Sequence, residues 1–216
     1  MRVVGRQLRL LLPKEGSLLV VGLGNADMTP DAIGPLALQN LLVTRHLISA
    51  LPEHFGTFRS VAALAPGVLG TTGVETAEAV GSLTAQLHPA AVIVIDALAA
   101  RRMHRLCTTV QLGDSGIIPG SGVGNHRHPL NRKTLGIPVI AMGVPTVVDA
   151  ATIAADLLEE NGITDIDPAR LHRGGDSFVT PSDIDQRVRQ LGKILGYAIS
   201  WAVQGLEIDE ITALLA

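Results

Sequence analysis

A chain of 216 residues, 47% hydrophobic and 17% charged, is long enough to bury one sizeable core, so residues 1–216 are read as a single domain. A net charge of −3 argues against nucleic acid or an anionic membrane as partner, and no apolar run approaches the roughly 20 residues that span a bilayer. The one cysteine, Cys107, excludes an internal disulfide and suits a reducing, cytoplasmic interior, while 2% aromatics leave an aliphatic core with little to stack on bases.

The start, MRVVGRQLRLLLPKEG, is basic and apolar, but Arg9 interrupts it and no small-residue cleavage site follows. It reads as a first helix or strand rather than a signal peptide. Leu18–Leu23 reads as a buried strand, and Ile33–Thr44 as a helix with Ile33, Leu36, Ala37 and Leu41 on one face. A second strand, Arg59–Ala65, stops at Pro66-Gly67, and a helix follows over Glu75–Leu87, with Thr72 or Gly73 as its possible start. Ala91–Asp96 is a third strand and Thr108–Leu112 a short fourth; Gly113–Leu130 is loop. Ile137–Met142 is a fifth strand and Val147–Glu160 a helix. Gly162–Thr180 is irregular, and Ser182–Val203 forms a long C-terminal helix with Asp183 and Asp185 in its first turn. This alternation predicts an α/β fold: a three-layer sandwich whose mixed, mostly parallel sheet has helices on both faces.

Two acids stand out. Asp31 follows the first strand and Asp96 ends the third. A parallel sheet gathers such strand ends along one edge, where two facing carboxylates can hold and activate a water. Each also has a plainer reading: Asp31 suits the N-cap of the helix from Ile33, and Asp96 a hydrogen bond to a loop amide. The glycines invite other readings. Gly22-Leu23-Gly24 follows a strand as a dinucleotide site would, but the third glycine is missing and Asp27 would repel a pyrophosphate. GSGVGN, from Gly120 to Asn125, lacks the Lys-Ser/Thr of a phosphate loop. Both stretches suit close approach of backbone to a bound peptide. Cys107 has no motif around it and reads as core. No cofactor is expected.

Six blocks carry a resemblance that spans about Leu18 to Gly205. They are GLGNxxxTPDAxGP, APGVxGxTGxET, IDALAAR, DSGIxPGSGVGN, TLGIPVIAxGVPTVVDAxT and VTPxDID. In this order they resemble germination proteases, the endopeptidases that degrade small acid-soluble spore proteins when a spore germinates. The resemblance implies a spore-core or forespore location, an extended protein substrate cut beside acidic residues, and a homo-oligomer. It makes Asp31 and Asp96 the candidate catalytic pair. Gly24, Asn25, Arg101, Asp114, Gly122 and Asn125, all within matched blocks, become candidate substrate-binding residues. Arg101 would meet acidic substrate side chains or steady Asp96; its plainer reading is a solvated helix face. Asp114 would support the site or shape its turn. Asp27 stands where the family usually has another residue, and reads as surface charge. Ile118 stands where relatives often have a histidine, so a histidine's help is expected to be missing.

Two neighbouring families compete. Peptidyl-tRNA hydrolases also begin strand-GLGN and follow it with TRHN; here the spacing to Thr44–Leu47 is longer and Leu47 replaces the asparagine. His46 is therefore read as a surface residue at a helix end. Hydrogenase maturation endopeptidases resemble the chain in fold and in the two acids, which they use with a histidine around nickel. His126 and His128 lie in GNHRHP without ligand spacing tied to an element, so no metal is assigned. An inactive, protease-like peptide-binding protein and a metal-dependent maturation endopeptidase stay open as alternatives. Germination proteases are typically made as longer zymogens. The apolar Val3, Val4, Leu8, Leu10, Leu11 and Leu12 look needed for packing, so activation by self-cleavage near the start is not expected.

Overall fold

The computed structural model describes residues 1–121, 127–163, 171 and 177–216. Six strands among them build one sheet in the order β2-β1-β3-β5-β4, with β6 also on β5. The four strands β2 (Val61–Leu64), β1 (Leu18–Gly22), β3 (Ala91–Ala100) and β5 (Val139–Asp149) run parallel. Two short strands, β4 (Gln111–Gly113) and β6 (Phe178–Val179), pair antiparallel with β5.

The four parallel strands are apolar but for Asp96, Thr146 and Asp149, because both faces are covered. Successive side chains alternate between two cores. Leu18, Val20, Ile93, Ile95, Ile140 and Met142 point to one core. It is closed by Leu8 of α1 (Arg2–Leu11), by Ile33 and Ala37 of α2 (Ile33–Leu38), and by Val188, Leu195 and Ile199 of the long C-terminal helix. Leu19, Val21, Val92, Val94 and Val139 point the other way. They meet the helix Thr76–Leu87 through Val80, and the short helix Arg132–Leu135 through Leu135. The three-layer α/β reading holds. In chain order the further helices with described bounds are α3 (Arg45–Ala50), α4 (Pro52–Phe55), α5 (Leu69–Thr72), α6 (Thr76–Leu87), α7 (Arg132–Leu135), α8 (Ala150–Glu160), α9 (Ile184–Gln204) and α10 (Ile208–Leu215).

Several helix and strand boundaries differ from expectation. The helix from Ile33 stops at Leu38 rather than Thr44. The following residues instead cross to the sheet: the Thr44 N–H donates to the Val61 carbonyl, and its hydroxyl donates to the Arg59 carbonyl and accepts from the Val61 N–H. Leu41 and Leu42 are buried in that crossing, which mimics a helical stripe. β3 runs on past Asp96 to Ala100, and β5 past Met142 to Asp149, because the two strands keep pairing from Asp96↔Gly143 to Ala100↔Val148. A bulge leaves Thr146 as the extra residue. α8 consequently begins only at Ala150, where Asp149 accepts the Thr152 N–H as N-cap. α6 begins at Thr76 with Glu75 at its N-cap; Thr72 ends α5 instead, and Gly73 turns left-handed behind it. At the start of the chain the expected packing is only partial: Leu8 is buried, but Val3 and Leu10 are 72% and 77% exposed. Among the described residues no helix is long and apolar enough to cross a membrane.

Candidate active site

A cleft of about 360 Å³ opens where β1 ends and β3 continues. Asp31 and Asp96 both line it. Asp96 projects from mid-strand rather than from a strand end; the edge is made by β1, whose last contact with β3 is the Leu23 N–H on the Ile95 carbonyl at 2.8 Å.

Asp31 arrives by a tight turn. After β1 the chain passes Gly24 and closes a 3₁₀ turn over Thr29–Asp31. Gly24 has φ +106, and a Cβ there would collide with the Asp31 carbonyl. The glycine thus makes room for the protein's own acid as well as lining the cleft. Asn25 holds that acid: its N–H donates to Asp31 Oδ2 at 2.7 Å, and its Oδ1 accepts the Asp27 N–H at 3.0 Å. Asp31 therefore does not cap α2, whose N-cap is Ala32 without a side-chain bond.

The electrostatics separate the two acids. Asp96 is only 7% exposed, and burial pushes its pKa up to about 7, helped by the neighbouring Asp31 charge and opposed by the Ala97 N–H. Asp31 is half-buried; burial raises it, and the Asn25 N–H works against that rise. Asp31 ionises first and Asp96 titrates against its charge. Over a range of pH below about 7 the pair is one carboxylate and one carboxylic acid, the division of labour that acid–base hydrolysis needs.

Other candidates fall unevenly. Arg101 is exposed in the bend after β3 rather than on a helix, does not line the cleft, and pairs with Asp156 of α8 at 3.0 Å. Asp114 is exposed and does not line the cleft. Gly122, Asn125 and His126 lie outside the described residues. Asp27, His46 and His128 are exposed; His46 opens α3 rather than ending a helix. Cys107 packs half-buried against the core. Ile118 does reach the cleft, 44% exposed on its wall. An ion pair escaped the sequence reading: Arg127 meets Glu75 at 3.6 Å on the same wall. Glu75 lies in the second matched block, which could have marked it; Arg127 lies in no block. Among the described residues no group of three or more His, Cys, Asp and Glu side chains is placed to hold a metal ion.

Comparison with known proteins bears on this geometry. The family model for germination protease matches residues 7–160. The chain belongs to the germination protease family. Germination protease from Clostridium perfringens is 44% identical over 94% of this chain and 71% of its own length. The Clostridium tetani protein is 40% identical over 99% of this chain and 75% of itself. The Bacillus subtilis protein is 56% identical, but over 69% of this chain and 41% of its own length. Membership makes this germination protease relative a peptidase by family. A hydrogenase maturation protease from Thermococcus kodakarensis KOD1 superposes with a TM-score of 0.44 and 16% identity over 89% of this chain and 98% of that one.

Proposed function

We propose that this protein is an aspartate-dependent endopeptidase that hydrolyses small acid-soluble spore proteins during germination. The observation that carries the reading is the Asp31–Asp96 pair in one cleft, with only Asp96 pushed up to about 7. Asp31, the stronger acid, is the base. It takes a proton from a water held between the two carboxyls while that water's oxygen bonds to the scissile carbonyl carbon. Asp96, protonated, donates a hydrogen bond to the carbonyl oxygen and then passes its proton to the leaving nitrogen as the C–N bond breaks. The pair ends with its proton on Asp31, and one transfer returns it to Asp96.

Family membership supports the germination role, and the cleft's open shape suits an extended chain rather than a folded one. We place the protein in the cytoplasm of the spore or forespore and expect a homo-oligomer, as the family resemblance implies. The test is incubation of a purified small acid-soluble spore protein with wild type, Asp31→Asn and Asp96→Asn. Cleavage by the wild type alone supports the proposal. An intact substrate with wild type, or turnover by either variant at the wild-type rate, overturns it.

A further inference from the structure

β3 outruns its neighbour on one side only. β1 pairs with β3 as far as Gly22↔Ile95, whereas on the other side β5 pairs with it through Ala100. Since the Ile95 carbonyl faces β1, where it accepts the Leu23 N–H, the two-residue alternation of a strand turns the N–H and C=O of Ala97 and Ala99 the same way. There β1 is gone. The Ala97 N–H closes instead on its neighbour's carboxylate, Asp96 Oδ1, at 2.9 Å. Among the described residues, no chain on the β1 side bonds to the Ala97 carbonyl or to the Ala99 N–H and carbonyl. This stub of edge begins at Asp96.

The stub stands inside the cleft, not on the outer surface. Ala97, Leu98 and Ala99 all line it. One wall comes from the Thr29–Asp31 turn, which packs with α9 on one face of the sheet. The other comes from Glu75 and Ile118, on the side of α6 and the second core. Walls on both faces and an open hydrogen-bonding edge between them describe a slot for one more strand. Unpaired edge groups of this kind are a template for an added chain.

We propose that the substrate binds as an extended strand on the free edge of β3, its backbone pairing with the Ala97 carbonyl and with the N–H and carbonyl of Ala99. This rests on the peptidase reading above and adds its binding mode. Pairing along Ala97–Ala99 runs the peptide past Asp96, so backbone register delivers the scissile bond to the acids. Because main-chain groups do the holding, every second substrate N–H faces β3 and the others face away.

The test uses a short synthetic peptide spanning the bond cut in the spore-protein digest, and a series of the same peptide with one backbone nitrogen methylated at a time. Binding is measured on Asp96→Asn, and cleavage on the wild type. Methylation at alternate positions should weaken binding by on the order of tenfold, one hydrogen bond's worth, with the positions between tolerated. Ala99→Pro removes one edge N–H without touching the β5 ladder, and should raise KM by a similar factor with kcat and melting temperature little changed. Cleavage of the parent peptide with a flat methylation profile overturns the strand-pairing proposal and leaves the peptidase reading standing. No cleavage of the parent peptide or of the spore protein by wild type overturns the peptidase reading itself. The methylated peptides leave the protein unaltered, so the proposal stays testable if Ala99→Pro fails to fold.

Discussion

Asp96 is a residue whose chemistry works against the fold. Its folded pKa of about 7 lies above the ordinary 3.8 of an unfolded aspartate. Below pH 3.8 both states hold the proton and Asp96 is neutral to stability. As pH climbs from there towards 7, the unfolded chain releases the proton and the folded chain keeps it, so stability falls across this window and levels off above it. At about 1.4 kcal/mol per pKa unit, the cost approaches an upper bound on the order of 4 kcal/mol. Asp96→Asn removes that cost. We expect it to melt above the wild type at pH 8, with the gap closing towards pH 4, while cleavage drops by roughly 10²–10⁴-fold. Calorimetry at the two pH values beside a peptide assay checks both halves; a lower melting temperature at pH 8 would contradict the burial argument. On the proposed mechanism the same titration sets the alkaline limb of activity. The rate should decline as pH rises through about 7 and Asp96 loses the proton it must donate, which a kcat/KM profile reads directly. Chelator should leave that rate unchanged; a loss restored by one particular metal would favour metal-dependent chemistry instead.

At the scale of elements, the sequence was most legible where a segment is buried by its own periodicity. The strands β1 and β3 and the helix α6 appear in the apolar pattern because two cores demand it. The pattern failed where pairing partners decide. Nothing in Ala97–Ala100 tells that β3 continues, since its reason is β5 across the ladder. Likewise Leu41 and Leu42 keep a helical spacing in a segment that Thr44 ties to β2. The acids were visible as charges beside apolar runs, but Asp31's support came from loop geometry that spacing does not reveal. That support gives a sharp expectation for the turn between β1 and α2. Gly24→Ala introduces a Cβ against the Asp31 carbonyl at a left-handed φ, so the turn must move and carry the acid with it. A displacement of about 1 Å can cost on the order of 10²-fold in rate. We expect kcat to fall by that order while the sheet, judged by circular dichroism, stays intact; unchanged kcat would show that the turn has slack. Behind it, α2 lies so close to α9 that a Cβ on Gly196 would meet the Ala37 and Asn40 carbonyls at 2.5 Å. Gly196→Ala should destabilise by about 1–3 kcal/mol through overpacking, seen as a lower denaturation midpoint.

On the scale of the whole molecule, the first helix is tied into the core and stands apart from the site. Leu8 is fully buried in that core, where α1 packs against α9. Arg9 stacks its guanidinium 3.8 Å from the Trp201 ring centroid and donates to the carbonyls of Trp201 and Ala202 at 2.7 and 3.0 Å. Arg2 reaches across to Glu207 beside α10. None of the cleft-lining residues belongs to α1. A segment that inhibits by covering the acids would have to line the cleft and leave without uncovering the core, and α1 does neither. Leu8→Ala should therefore cost about 2–5 kcal/mol, lowering the melting temperature by roughly 4–20 °C, with kcat/KM at low temperature little changed. Intact-mass measurement during incubation at mildly acidic and at neutral pH should find residues 1–12 retained while substrate is cut. Loss of that segment together with rising activity would mean that α1 restrains the cleft through α9 from a distance, and would overturn the separation of packing from chemistry argued for this end of the molecule.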